Sequence, residues 1–169
     1  AADRPAPPAP REVDWPALRT ELRARQQTAR DFVLERAPAE ELRLARLPVL
    51  IPDFPTMRMA GRVFARRDFY SASFTLPDAM VEVFGTRLVA PTPKDMIARF
   101  TRMAAADPDG FRIVETEAGF DLSFERYNVA YNISLNCNDP KAEDCRSPER
   151  IRDLARRMRF AGGEPEGGL

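Results

Sequence analysis

Apolar and polar residues alternate with period two over two neighbouring stretches. Phe120, Leu122 and Phe124 alternate with Asp121, Ser123 and Glu125; Val129, Tyr131, Ile133, Leu135 and Cys137 alternate with Ala130, Asn132, Ser134 and Asn136. Such alternation predicts strands with one face buried and one wet. Arg126-Tyr127-Asn128 between them predicts a turn, and residues 111–116 predict a third strand joined through Glu117-Ala118-Gly119. Upstream, Tyr70, Ala72, Phe74 and Leu76 face one side and Ser71, Ser73 and Thr75 the other, which predicts a strand over 69–76. Pro77-Asp78 supplies a turn, residues 80–84 return, Gly85 marks a bulge or bend, and residues 87–89 finish the pair. Residues 59–66 predict a further strand, and residues 47–51, flanked by Pro48 and Pro52, an edge strand.

Helical periodicity occurs in four places. Asp14 is an N-cap with Trp15 and Pro16 in the first turn, and the helix can run to Arg36, before Pro38. Leu18, Leu22, Ala29, Phe32 and Val33 share its face, interrupted by Arg25 and Gln26. A short helix fits residues 39–45. Thr92-Pro93-Lys94-Asp95 has the form of a capping box, and Met96, Ile97, Phe100, Met103 and Ala104 then form one face until Pro108-Asp109-Gly110. A last helix over 148–160 places Ile151, Leu154, Ala155 and Met158 together, and Gly162 ends it. The expected fold is α+β: an antiparallel sheet of about six to seven strands, one face covered by the N-terminal, middle and C-terminal helices. Residues 1–12, with four prolines in the first ten positions, read as a disordered lead, 13–161 as a single domain, and 162–169 as a flexible tail.

Composition narrows the classes. A chain of 169 residues suits one domain with a feasible core. Lysine and arginine total 26 against 26 acidic residues, so no net field draws in nucleic acid or an anionic membrane. All but Lys94 and Lys141 of these cations are arginine, which with the abundant Ala and Pro reads as the codon bias of a GC-rich genome. No histidine is present, which excludes nucleophilic catalysis with an imidazole base and every metal site built on imidazole. No apolar run approaches the roughly 18 residues of a membrane span. The start at Ala1-Ala2-Asp3 suits a mature end after signal-peptide removal, or equally a trimmed boundary.

Candidate chemistry is sparse. Cys137 and Cys145 are expected to pair as a structural disulfide, which marks an oxidising compartment. The redox alternative rests on Cys145 preceding a helix start, but the seven-residue gap is unlike Cys-x-x-Cys. Asp139, Glu143 and Asp144 between them do not match the spacing of a calcium loop, and no metal or cofactor is expected. The run Phe64-Ala-Arg-Arg-Asp-Phe-Tyr70 sets Arg66 and Arg67 beside Phe69 and Tyr70, a pattern able to stack on a flat group and pin an anion. Arg126 and Tyr127 form a second turn of that kind, and the two turns make one patch if the sheet brings them together. Rows of small polar residues such as Ser71, Ser73, Asn132 and Ser134 suit a solvated sheet face or a sugar- or peptide-binding one. Asn132-Ile133-Ser134 fits a glycosylation acceptor but lies in a strand. Nucleophile-elbow, phosphate-loop and dinucleotide motifs are missing; an acid–base pair of carboxylates stays open.

These features lead to a non-enzymatic exported domain, periplasmic or secreted, that binds another protein or an envelope component. A small-molecule or lipid carrier with a cavity between sheet and helices is the alternative, and a carboxylate hydrolase the third reading. A filled space under the sheet favours surface recognition, and a hollow one favours a carrier or an enzyme.

Overall fold

The computed structural model describes residues 6–25, 39–54 and 61–167. The strands are β1 (Ala9–Pro10), β2 (Val49–Pro52), β3 (Gly61–Ala65), β4 (Phe69–Thr75), β5 (Ala79–Thr86), β6 (Leu88–Val89), β7 (Arg112–Glu115), β8 (Gly119–Arg126), β9 (Val129–Cys137) and β10 (Met158–Gly162), and β4, β5, β8 and β9 follow the alternation closely. The helices are α1 (Trp15–Ala24), α2 (Ala39–Arg43), α3 (Lys94–Ala106) and α4 (Glu149–Arg156), with one 3₁₀ turn at Glu143–Cys145. Strands β3-β4-β5-β9-β8-β7 form one antiparallel sheet in that order, while β1 pairs with β6 and β2 with β10. The fold is α+β around an antiparallel sheet.

The period-two pattern decides which side of the six-stranded sheet is dry. Tyr70, Ala72, Phe74, Val81, Val83, Leu122, Phe124, Tyr131, Ile133 and Leu135 are all buried. Their cover is α4, which packs across β8 and β9, and the two-stranded β2–β10 sheet, whose β2 lies on β5. Leu18 and Leu22 of α1 meet Leu50, Met158 and Phe160 around a void of about 10 Å³, no more than one water's worth.

Several elements depart from the pattern-based expectation. The last helix stops at Arg156, and Met158 and Phe160 enter the core from a strand instead. The segment read as a flexible tail opens with Gly162 laddered to Val49; Glu164 then donates its N–H to the Ala45 carbonyl and sits near Arg43 and Arg46. The Pro-rich lead makes a two-residue ladder, Ala9 opposite Val89 and Pro10 opposite Leu88. The stretch read as an edge strand is one, laddered only to β10, yet all four positions of β2 are buried. Gly85 is not a bulge: β4, β5 and β9 keep their register through it. A Cβ there would lie 2.3 Å from Tyr70 Cε1 and 3.1 Å from Tyr131 Cε1, so the glycine makes room for two crossing rings. Asp14 caps α1 as expected, accepting from the Ala17 N–H; the continuation to Arg36 lies outside the described residues. Thr92 does not cap α3; its hydroxyl donates to the Ala90 carbonyl, and Pro93 takes the cap position without a side-chain bond.

The disulfide expected from the sequence is present: Cys137 and Cys145 are bonded, with Cα atoms 6.4 Å apart. It fastens the end of β9 to the 3₁₀ turn before α4. In the chain-entropy view so small a loop contributes about 2.5 kcal/mol.

Candidate functional site

The middle helix α3 carries the apolar face seen in the sequence, yet none of its residues is buried. Ile97 is 50% and Met96 42% exposed. A face of that kind normally docks on the core. Here it stands off the sheet for a local reason. Strand β7 ends its ladder at Arg112, opposite Ser123, while β8 continues to Arg126. Phe124, Glu125 and Arg126 therefore have no β7 neighbour, and the helix spans the gap. Between them lies a groove of about 880 Å³, walled by Leu88, Val89, Ile97, Phe100, Ala104 and Phe124. On the other flank Met103, Phe111, Ile113 and Phe120 line a second hollow of about 510 Å³ that ends at Arg152. The first volume falls in the range of ligand sites, roughly 300–1,000 Å³.

Among the described residues three charged ones line the large groove: Arg11, Arg112 and Glu125. Arg11 Nη1 lies 3.4 Å from Glu125 Oε1. Arg112 is half-buried and lays its guanidinium carbon 4.5 Å from the centre of the Phe100 ring. Among the described residues no carboxylate lies within ion-pair distance of Arg112. Among the described residues Glu125 is the one carboxylate on the groove wall, so no pair of described acids faces across it.

A tight ion cluster fixes the C-terminal end of α3. Arg152 donates to both oxygens of Asp107 (2.9 and 2.7 Å) and to Asp109 at 2.9 Å, and Arg156 also donates to Asp109. The Arg152 hydrogen bonds, helped by the N–H groups of Asp109 and Phe111 and opposed by burial, hold the Asp107 carboxyl down at about 2. A carboxyl depressed in the folded state contributes stability above its ordinary value of about 3.9, and the contribution is lost as pH falls through the folded value. Thermal melts are therefore expected to drop between about pH 4 and pH 2. Asp107→Asn is expected to flatten that part of the profile, and an unchanged slope would contradict the assignment.

The residues singled out from the sequence separate. Phe69 faces outward, in a row with Phe64 and Phe84 (ring centres 6.3 and 6.1 Å apart), and Arg66 lies 3.9 Å above Phe64. Phe64 and Phe84 are 45% and 43% exposed, so the sheet's outer face carries an aromatic patch beside its serines and asparagines. Tyr70 points the opposite way, wholly buried; its hydroxyl accepts from the Leu50 N–H (3.1 Å) and donates to the Leu50 carbonyl (2.7 Å). Burial pushes that hydroxyl far above the ordinary tyrosine value, so it stays a donor. Arg67 ion-pairs with Glu166, which also lies 3.6 Å from Arg87.

The two turns do sit at the same end of the sheet, because Phe69, Thr86, Ala130 and Glu125 lie in one row, but β5 stands between them. Tyr127 and Asn128 adopt positive φ values of 55° and 63°, as a two-residue hairpin of this twist requires. The Tyr127 ring is buried, its hydroxyl donates to Glu21, and its carbonyl accepts from the Asp14 N–H. Burial first, and Glu21 second, raise the Tyr127 hydroxyl above its ordinary value. Arg126 approaches the Phe124 ring at 5.4 Å. Tyr127 thus anchors the N-terminal segment rather than joining the patch at Phe69.

As site residues, sequence reasoning passed over Phe84, whose place on the outward face with Met80 and Glu82 was the available signal, and the groove residues Phe100, Arg112 and Phe124. Comparison with family models, with curated proteins and with solved structures finds no match. Fold and site define an α+β domain with a helix-roofed groove at the open corner of its sheet. No helix among the described residues is long and apolar enough to cross a membrane.

Proposed function

We propose that this chain is an exported binding domain that holds an apolar or amphipathic small molecule in the groove under α3. The observation that carries this reading is the hollow itself: an amphipathic helix with no buried residue over about 880 Å³ of largely apolar wall. An apolar face left without a partner is a standing cost that a ligand removes. The Cys137–Cys145 bond supports a place outside the reducing cytoplasm.

The full chain is expected to bind the neutral dye Nile red, seen as a rise in emission. Ala104→Trp, which fills the groove from the helix side, is expected to abolish that rise while leaving the melting temperature within a few degrees. A dye that does not bind, or that binds this variant as well as the parent, would remove the proposal.

A second reading, recognition of a protein or envelope component, draws on the outer patch of Phe64, Phe69 and Phe84 with Arg66. It requires that Phe84→Ser combined with Arg66→Glu reduce partner capture from envelope extract. Equal capture by both chains would leave the patch without a role.

A further inference from the structure

We infer that the ligand of the groove is a single-chain carboxylate amphiphile, a free fatty acid, with its head group on Arg112. The inference rests on the groove reading above and adds the chemistry of the occupant. Two of the three charged walls answer each other, since Arg11 and Glu125 stand within ion-pair distance. That leaves one positive charge without a counterpart. Arg112 is half-buried, is held by stacking on Phe100, and among the described residues its guanidinium makes neither an ion pair nor a hydrogen bond. Lys94 and Arg99 are unpaired but exposed on the helix, and Arg126, half-buried over Phe124, is not part of the groove wall. Arg112 differs in having its fork of donors directed by an aromatic ring at the side of an apolar trough. A planar guanidinium matches a carboxylate in shape and charge.

The rest of the wall specifies the tail. Leu88, Val89, Ile97, Phe100 and Ala104 present carbon to the groove, with Thr86, Thr92 and Thr101 as its small polar members. One unanswered charge beside an apolar trough suits a monoanion with an apolar tail. A peptide added as a strand is disfavoured by the bare edge of β8, only Phe124 to Arg126 long, against the five to six residues of an ordinary strand.

The test is displacement of Nile red from the full chain by decanoate, dodecanoate and tetradecanoate at neutral pH, below their micellar concentrations, beside dodecanol as the uncharged partner of equal length. Affinity is expected to rise by up to about fourfold for each added methylene, the equivalent of about 0.8 kcal/mol. Dodecanoate is expected to compete at least tenfold better than dodecanol. Arg112→Gln should bring dodecanoate to the level of dodecanol, and Arg112→Lys should recover part of the difference. If acid and alcohol compete equally, or if the glutamine variant keeps the preference, the carboxylate inference falls and the groove reading survives. If the dye binds and neither compound displaces it, the inference falls as well. If the dye does not bind at all, both fall. Should the glutamine variant not fold, the comparison of acid with alcohol on the parent chain decides the matter alone.

Discussion

Tyr70→Phe is expected to lower stability by about 2–4 kcal/mol although it removes a single oxygen. One buried hydroxyl serves both the N–H and the carbonyl of Leu50, in a strand whose four residues are all buried. Phenylalanine fills the same volume but leaves two main-chain groups without that partner in a dry interior. Each such group costs about 1–3 kcal/mol. Tyr131→Phe is the graded control. Its hydroxyl donates only to the Pro48 carbonyl at 2.7 Å, so about half the loss is expected. Denaturant melts with unchanged m-values measure both. Equal losses from the two variants, or a Tyr70 loss below 1 kcal/mol, would mean that β2 is not held through these hydroxyls.

Gly85→Ala is the second large effect, expected at about 3 kcal/mol or more. The added methyl would stand 2.3 Å from Tyr70 Cε1, closer than real Cβ atoms approach another heavy atom, and 3.1 Å from Tyr131 Cε1. Neither ring is free to retreat, because both hydroxyls are fastened to the segment around β2. Overpacking alone costs about 1–3 kcal/mol, and breaking the Tyr70 bonds to relieve it adds to that. In a chain of this size about 3 kcal/mol corresponds to a fall of roughly 6–12 °C in Tm. The mechanism predicts non-additivity: in the Gly85→Ala, Tyr70→Phe double variant the ring is unpinned and can shift, so the combined loss should be smaller than the sum. Simple additivity would show that the two positions do not share one space.

The central sheet was legible because its signal is local. Residues 129–137 alternate without a fault, and β9 occupies Val129–Cys137. The misplacement of Met158 and Phe160 has a local cause too. Ile151, Leu154, Ala155 and Met158 satisfy a helical spacing, and Met158 with Phe160 satisfies a strand's. Only the partner decides, and β2 lies about a hundred residues earlier. Gly85 carried an ambiguous mark, since a glycine in a strand signals either a bulge or a close approach. The pattern announced that α3 has an apolar face but contained nothing about whether the protein fills the space beneath it. That depends on β7 starting only at Arg112, opposite Ser123, while β8 runs on to Arg126, a difference in strand length that no single stretch of sequence encodes. In the same way Phe69 and Tyr70, adjacent in the chain, were bound to separate once they lay in a strand, one to the outer patch and one to the core.

The pairing of β2 with β10 also bears on the order of events during synthesis. Ribosomal synthesis delivers Val49, Leu50 and Ile51 about a hundred residues before Met158–Gly162, their ladder partners. The hairpins β3–β4–β5 and β7–β8–β9 can close while the chain is growing, since their partners are near in sequence. The apolar segment at Val49 cannot, and until residue 162 has emerged it remains a bare strand exposed to other chains and to chaperones. Completion of the fold thus waits for residue 162, and truncations upstream of Met158 are the ones that leave β2 without its ladder partner.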